Sequence, residues 1–313
     1  MVAVADTPAL KGQRVSRHHS RAAALATFGL VSVTAIWGST FFLIKDLVAR
    51  MAVADFLAVR FLIAAVAMSV LFHRPLLRLS RREWWQGIAL GTIYGIAQLL
   101  QTSGLEHTSA SISGFATGMY VVFTPLLGTV LLCQRLPSVT WIAVLLSVGG
   151  LALLALRGLS IGYGVWLTLA SAALYGLHIV GLGTWSRPGS AFALSTVQMI
   201  VIAVICLLAT LPSGPSLPPD VGAWAAVVYM ALAAGAGAML VQTWAQAHLS
   251  PTRAAIVMTL EPVFAAGFAV TFGHDALTWR MLAGGALVLA AMYLVELAPR
   301  SGAVQAEGLH HEV

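Results

Sequence analysis

Residues 24–48 read ALATFGLVSVTAIWGSTFFLIKDLV, and no charged side chain interrupts the run before Lys45. A stretch of this length and character is long enough to cross a bilayer as a helix, which takes roughly 20 predominantly apolar residues. Comparable runs recur along the whole chain. Of its 313 residues 59% are hydrophobic and only 9% charged, and the mean hydropathy is +0.89. Soluble domains carry about a quarter charged residues, so this chain lacks the polar surface to stay dissolved. Membrane β-barrels alternate apolar and polar residues, whereas these runs are continuous. The expectation is an all-α polytopic membrane protein with ten spans, at about 24–48, 55–72, 84–104, 109–132, 138–156, 164–184, 193–211, 221–246, 251–272 and 279–298. The connections are short, and no hydrophilic block is large enough for a soluble catalytic or nucleotide-binding domain.

The net charge of +6 is explained by placement. With the N-terminus inside, cytoplasmic segments hold twelve Lys and Arg and outside loops hold three, Arg50, Arg157 and Arg280. The positive-inside rule then puts both termini in the cytoplasm, and the basic balance needs no nucleic-acid partner. Residues 1–23 read as a disordered basic tail, and the apolar run after Arg21 is too long for a cleaved signal peptide. Residues 299–313 read as a second cytoplasmic tail. Cys133 and Cys206 sit at or within apolar runs and define neither a disulfide framework nor a metal site. No cofactor is expected.

The two halves, 24–157 and 158–298, resemble each other. Ala35-Ile36-Trp37-Gly38 matches Ala173-Leu174-Tyr175-Gly176 at an offset of 138, as do Arg60 with Gln198 and Trp141 with Trp279. Gln101-Thr102 matches Gln242-Thr243 at 141, and Pro125 matches Pro262 at 137. The offset falls by about one helical turn between the last two landmarks. Five spans is an odd number, so the second repeat lies inverted, the arrangement of alternating-access transporters whose binding site lies near the midplane.

Three motifs carry a resemblance. Trp37-Gly38-Ser39-Thr40-Phe41, Thr108-Ser109-Ala110-Ser111 leading to Tyr120-Val121-Val122-Phe123-Thr124-Pro125, and Ser250-Pro251-Thr252-Arg253 leading to Leu260-Glu261-Pro262 resemble the EamA-type ten-helix branch of the drug/metabolite transporter superfamily. The resemblance covers about residues 25–298. It implies export of small metabolites, such as amino acids or related amphipathic compounds, with facilitation, proton antiport and import left open. One departure is visible, since Gly273-His274-Asp275 stands where many relatives carry Gly-Glu.

Polar residues are costly in hydrocarbon, so they should face a cavity or a neighbouring helix. Spacings of three and four place Ser113, Thr117, Tyr120 and Thr124 on one face of span four. Tyr94, Gln98 and Gln101 share a face of span three, as do Ser171, Tyr175 and His178 of span six. Trp37 and Phe41 follow the same rule in span one, and Gln242 in span eight. The expectation is a central cavity between spans one, three, four, six, eight and nine, with spans five and ten peripheral. Trp37, Phe41, Tyr120 and Tyr175 would wall it, and Tyr94, Gln98, Thr117, Thr124, His178, Gln242 and Glu261 would contact a small-molecule substrate. Helix-to-helix bonding is the alternative use of these side chains.

Pro125 and Pro262 are matched helix breakers, each removing a backbone N–H, and are expected as kinks or hinges. An acid such as Glu261 within a span costs roughly 2.5–3.5 kcal/mol on insertion scales. Proton coupling, an amine partner and a structural ligand for the backbone at Pro262 remain its open roles. Lys45 and Arg60 are expected to snorkel or to pair with Asp46 or Asp55, with direct substrate contact as the alternative. Gly87, Gly91 and Gly95, one every four residues, are expected to let a neighbouring helix approach closely. Gly158-Leu159-Ser160-Ile161-Gly162 matches the hydrolase nucleophile pattern but reads as a loop between membrane helices, so no enzyme is inferred. Neither a paired-histidine metal motif nor a phosphate-cradling loop is present. The rival class is a non-transporting membrane scaffold or sensor.

Overall fold

With no water to bond in the bilayer, a backbone must satisfy its polar groups within its own helices, and the long apolar runs do so. The computed structural model describes residues 8–132, 138–157, 160–187, 189–212, 214–246 and 257–297. Cys133, the Ser250–Arg253 motif and the tail after 298 lie outside the described residues. The helices are α1 (Pro8–Val48), α2 (Val53–Leu71), α3 (His73–Leu76), α4 (Arg81–Glu106), α5 (Ala110–Gly118), α6 (Tyr120–Leu132) and α7 (Ser138–Ala155) in the first half. The second half holds α8 (Tyr163–Trp185), α9 (Ala191–Ala209), α10 (Val221–Ala231), a π-helical segment Leu232–Gly237, α11 (Ala238–Gln246), α12 (Glu261–Thr271) and α13 (Trp279–Leu297). Helix α1 includes residues 8–23, inside the segment expected to be a disordered tail. Between α7 and α8, within the expected loop, Leu156 pairs with Ile161 and Arg157 with Ser160 in a two-residue antiparallel ladder.

Among the described residues six helical stretches are long and apolar enough to cross a membrane: Ala24–Val48, Val53–Leu71, Ala110–Leu131, Tyr163–Trp185, Ala191–Ala209 and Val221–Gln242. The expected ten are therefore six on length and composition alone. Helix α4 has the length, but its three charged residues at the start, its glycines and its Tyr94, Gln98 and Gln101 dilute its hydropathy. Ser138–Leu154, Glu261–Thr271 and Trp279–Leu294 are apolar but shorter.

Local chemistry sets the ends. Ser80 and Glu83 form a capping box at the start of α4, with Glu83 N donating to Ser80 Oγ (3.3 Å) and Ser80 N to Glu83 Oε2 (2.8 Å). Asp220 caps α10 by accepting from Ala223 N at 2.8 Å. That N–H, with help from Arg50, holds the Asp220 carboxyl below the usual carboxylate range. Arg50 bridges Asp46 (2.6 Å) and Asp220 (2.7 Å), tying the end of α1 to the start of α10.

Lys45 and Arg60 do not take their expected partners. Lys45 Nζ donates to the Leu105 and Glu106 carbonyls, both at 2.9 Å, and so caps α4, whose last carbonyls have no intrahelical partner. Asp55 accepts from Ser216 Oγ instead of from Arg60. The helix breaks also differ from the proline positions. The first interruption falls at Met119, ahead of Pro125, which lies inside α6. The second falls at Thr259–Leu260, which leaves Pro262 in the first turn of α12, where the missing N–H costs no helical bond.

Helix α2 packs on α9, α4 on both α8 and α9, α7 on α13, α5 on α12, α6 on α8, and α1 on α11 and α12. The glycine stripe of α4 provides the approach to α9. A Cβ at Gly87 would lie 2.7 Å from Val197 Cγ1, and one at Gly91 would lie 2.8 Å from Val201 Cβ and 3.0 Å from the Gln198 backbone. Gly91→Val should therefore force α4 away from α9 and destabilise the fold by about 1–3 kcal/mol, the usual cost of overpacking. Detergent melting curves check this, and an unchanged melting temperature would contradict the packing account.

Candidate functional site

The polar stripes converge where α4, α5, α6, α8 and α12 meet. Tyr175 of α8 donates its hydroxyl to Gln101 Oε1 (2.9 Å), and Gln101 Nε2 donates to Thr117 Oγ1 of α5 (3.0 Å). Tyr94 of α4 stands edge-on to Tyr175, with ring centroids 5.1 Å apart, and to His178 at 5.0 Å. His178 Nε2 lies 2.7 Å from Gln198 Oε1 of α9. Across the cluster, Tyr120 OH donates to Glu261 Oε2 at 3.3 Å. That bond joins the first residue of α6 to the first residue of α12, both just after their helix breaks.

Several buried polar atoms here have no hydrogen-bond partner among the described residues: Gln98 Oε1, Thr102 Oγ1, Ser113 Oγ and Ser171 Oγ. A buried polar atom left unpaired costs about 1–3 kcal/mol, so a cluster of them marks a place where water or a ligand would be stabilised. An apolar groove of about 670 Å³ opens elsewhere, between α2 and α9, against Leu62, Val66, Val70, Ile200 and Val204. Its composition fits lipid tails and not the polar chemistry of the interior.

The site residues expected from sequence are not all brought together. Tyr94, Gln98, Thr117, Tyr120, Tyr175, His178 and Glu261 form the cluster just described. Trp37 packs against the same apolar cluster as Tyr120 and Tyr175, but its indole N–H is already given to the Ala234 carbonyl (2.8 Å) in the π-helical segment. Phe41 lies apart, in a core with Ile44, Leu47, Phe56 and Phe61. The Thr124 hydroxyl is turned onto its own helix, at Tyr120 O (2.7 Å). Among the described residues the Gln242 amide reaches Met258 Sδ, at 3.9 Å. Gln101 and Gln198 belong to the network although neither was among the expected contacts. The spacing Tyr94–Gln98–Gln101 and the Arg60–Gln198 match were the available signals.

Asp275, in the departing Gly273-His274-Asp275 stretch, accepts from Ser111 N (2.9 Å) and Ser111 Oγ (2.6 Å) at the start of α5. It anchors that helix N-terminus, where a carboxylate is favourable. His274 holds a φ of 59°, a left-handed conformation that histidine adopts more readily than most residues.

These features define a multi-pass membrane protein with a polar, partly unsatisfied interior. The EamA-like transporter family model matches residues 24–156 and again 162–297. The chain therefore belongs to the EamA-like transporter family and is a membrane transporter. An uncharacterized transporter of Archaeoglobus fulgidus is 29% identical over 273 residues, which is 87% of this chain and 86% of that protein. A solved crystal structure covers 87% of this chain and 96% of its own, with a TM-score of 0.63 at 19% identity, a likeness of fold.

The Tyr175–Gln101 bond is measurable. A double-mutant cycle with Tyr175→Phe and Gln101→Leu should give a coupling of about 0.6 kcal/mol, and no more than about 1.7, as for interhelical bonds in membranes. Strict additivity in detergent unfolding would exclude the bond.

Proposed function

We propose that this protein is a secondary transporter that exports small metabolites, amino acids or related amphipathic compounds, by alternating access across a bacterial cytoplasmic membrane. In this reading the chain has ten spans in two inverted repeats, 24–157 and 158–298, with both termini cytoplasmic. The four helices that fall short on length or hydropathy, α4, α7, α12 and α13, complete the count. The supporting observation is that the helix contacts repeat when the halves are exchanged. The packing of α1 on α12 corresponds to that of α8 on α6, and α1 on α11 to α8 on α4. Likewise α4 on α9 corresponds to α10 on α2, while the pairs α2–α9 and α7–α13 map onto themselves. A pseudo-twofold relation of this kind puts a substrate site between the halves, which is where the tyrosine–glutamine–histidine cluster lies.

Within that site Glu261 is the acidic pole. Tyr120 bonds its carboxylate, and Tyr94 and Tyr175 pack in the same cluster as Tyr120. We assign it the substrate's amine, with protonation competing for the same oxygens. Counterflow in proteoliposomes against amino acids, nucleosides and cationic drugs tests the transporter reading, and no exchange of any solute would overturn it. Glu261→Gln retains an acceptor for Tyr120, so it should fold and melt near wild type. Its exchange of amine-bearing substrates should fall roughly tenfold or more, the effect of losing a charge-assisted hydrogen bond, and the remainder should lose its pH dependence. A wild-type pH profile in this variant would reduce Glu261 to a structural residue.

A further inference from the structure

Arg60 of α2 is only 5% exposed, and a guanidinium stays charged at any physiological pH. Buried charges in membrane spans normally pair with an opposite charge or with backbone carbonyls. Among the described residues Arg60 has neither. The ion pairs there belong to Arg50, and Arg60 Nε is buried without a hydrogen-bond partner. Its recorded neighbours are aromatic faces, with the guanidinium carbon 5.0 Å from the Phe61 centroid and 6.0 Å from that of Phe56. Such faces stabilise a cation but do not serve the in-plane N–H fork that matches a carboxylate. The nearest acid in sequence, Asp55, is engaged by Ser216.

The position of this guanidinium ties it to the candidate site. Phe61, whose ring meets the guanidinium, belongs to a core against which Tyr94 packs, Tyr94 stands edge-on to Tyr175, and Tyr175 shares a cluster with Tyr120, the hydroxyl partner of Glu261. The two buried opposite charges thus flank the same tyrosines from α2 and α12, and among the described residues no ion pair joins them. The matching position in the second half is Gln198, a neutral amide that meets His178 and its own helix.

We propose that Arg60 binds the carboxylate of the transported molecule, so that the substrate is a small zwitterion held with its carboxylate on Arg60 and its ammonium on Glu261. The proposal rests on the transporter reading above and narrows it to solutes carrying both charges. Binding would supply the in-plane acceptors that the fork lacks, and a planar carboxylate matches it with two parallel hydrogen bonds. Tyr94 and Tyr175 would line the space beside the bound solute and exclude water from it.

The test uses wild type, Arg60→Gln and Arg60→Lys in proteoliposomes, with counterflow of each common L-amino acid. The decarboxylated amine of each exchanging amino acid is then measured as a competitor. In Arg60→Gln the amino-acid KM should rise roughly 10- to 100-fold, as expected for loss of a charge-assisted hydrogen bond, while competition by the amine stays within about twofold. Arg60→Lys, which keeps the charge but not the fork, should fall between. If Arg60→Gln does not fold, Arg60→Lys alone decides by the same ratio. Equal loss for amino acid and amine, or no loss, would overturn the proposal in favour of a structural arginine. Exchange of amines or neutral solutes but of no amino acid by wild type would also overturn it, and would leave the transporter reading intact. No exchange of any solute would defeat that reading itself.

Discussion

Close backbone contact between the two halves is the constraint on which the other features depend. Lipid tails are as apolar as leucine, so helices in a bilayer gain little from hydrophobic association and rely on tight packing. Here glycines supply it at the seams. A Cβ on Gly104 would sit 2.6 Å from the Gly164 carbonyl, and one on Gly164 would sit 2.5 Å from the Gly104 carbonyl. Gly150 and Gly284 stand in the same reciprocal relation, at 2.7 Å each way. A Cβ on Gly38 would lie 2.8 Å from Ala265 N. Each of these contacts joins residue ranges 24–157 and 158–298. They fix the rotation of α1, α4, α7 and α8 about their own axes, and the polar stripes follow from that rotation.

Once α4 is seated by Gly87 and Gly91 on α9, Tyr94, Gln98 and Gln101 are carried toward α5 and α8. The resulting interior is only partly satisfied. Tyr175, Gln101 and Thr117 close a short chain of bonds, while Gln98, Thr102, Ser113 and Ser171 keep unpaired atoms. A fully bonded network would rigidify the halves against each other. Unpaired atoms at the same seam favour a protein that fills the space with solute or water and exchanges one for the other.

Much of this was legible in the sequence, for reasons that also explain what was not. Uninterrupted apolar runs predict helices because the bilayer permits little else, and the glycine spacing in α4 predicts a close neighbour. The motifs around Trp37, Tyr120 and Glu261 indicated the family. Arg60 was misjudged because Asp55 is near it in the chain. Five residues along a helix is not a shared face, whereas three and four are, and only the fold shows that Ser216 takes the acid. The prolines marked the right neighbourhood but not the break: the chain breaks before Pro262, which sits in a first turn at no cost, and at Met119, ahead of Pro125, which lies inside α6. The π-helical segment and its Trp37 bond depend on tertiary contact, and no residue pattern announces them.

The proposed repeats are alike in backbone and unlike in chemistry, and the difference bears on function. Under the offset of 138, Arg60 corresponds to Gln198, and under the offset of 137, Glu261 corresponds to Thr124. The charge on α2 in the first half has a neutral counterpart in the second, and the charge on α12 in the second half has a neutral counterpart in the first. A symmetric scaffold accounts for two exchangeable conformations, but it gives a substrate no preferred direction. On the proposed reading, placing one cation and one anion at non-equivalent positions would break that symmetry. A ligand with two opposite charges is then oriented by the pair, whereas a ligand with one charge leaves the other ion buried and unpaired. The contact such a ligand fails to gain, and not a repulsion, is what would make the site selective.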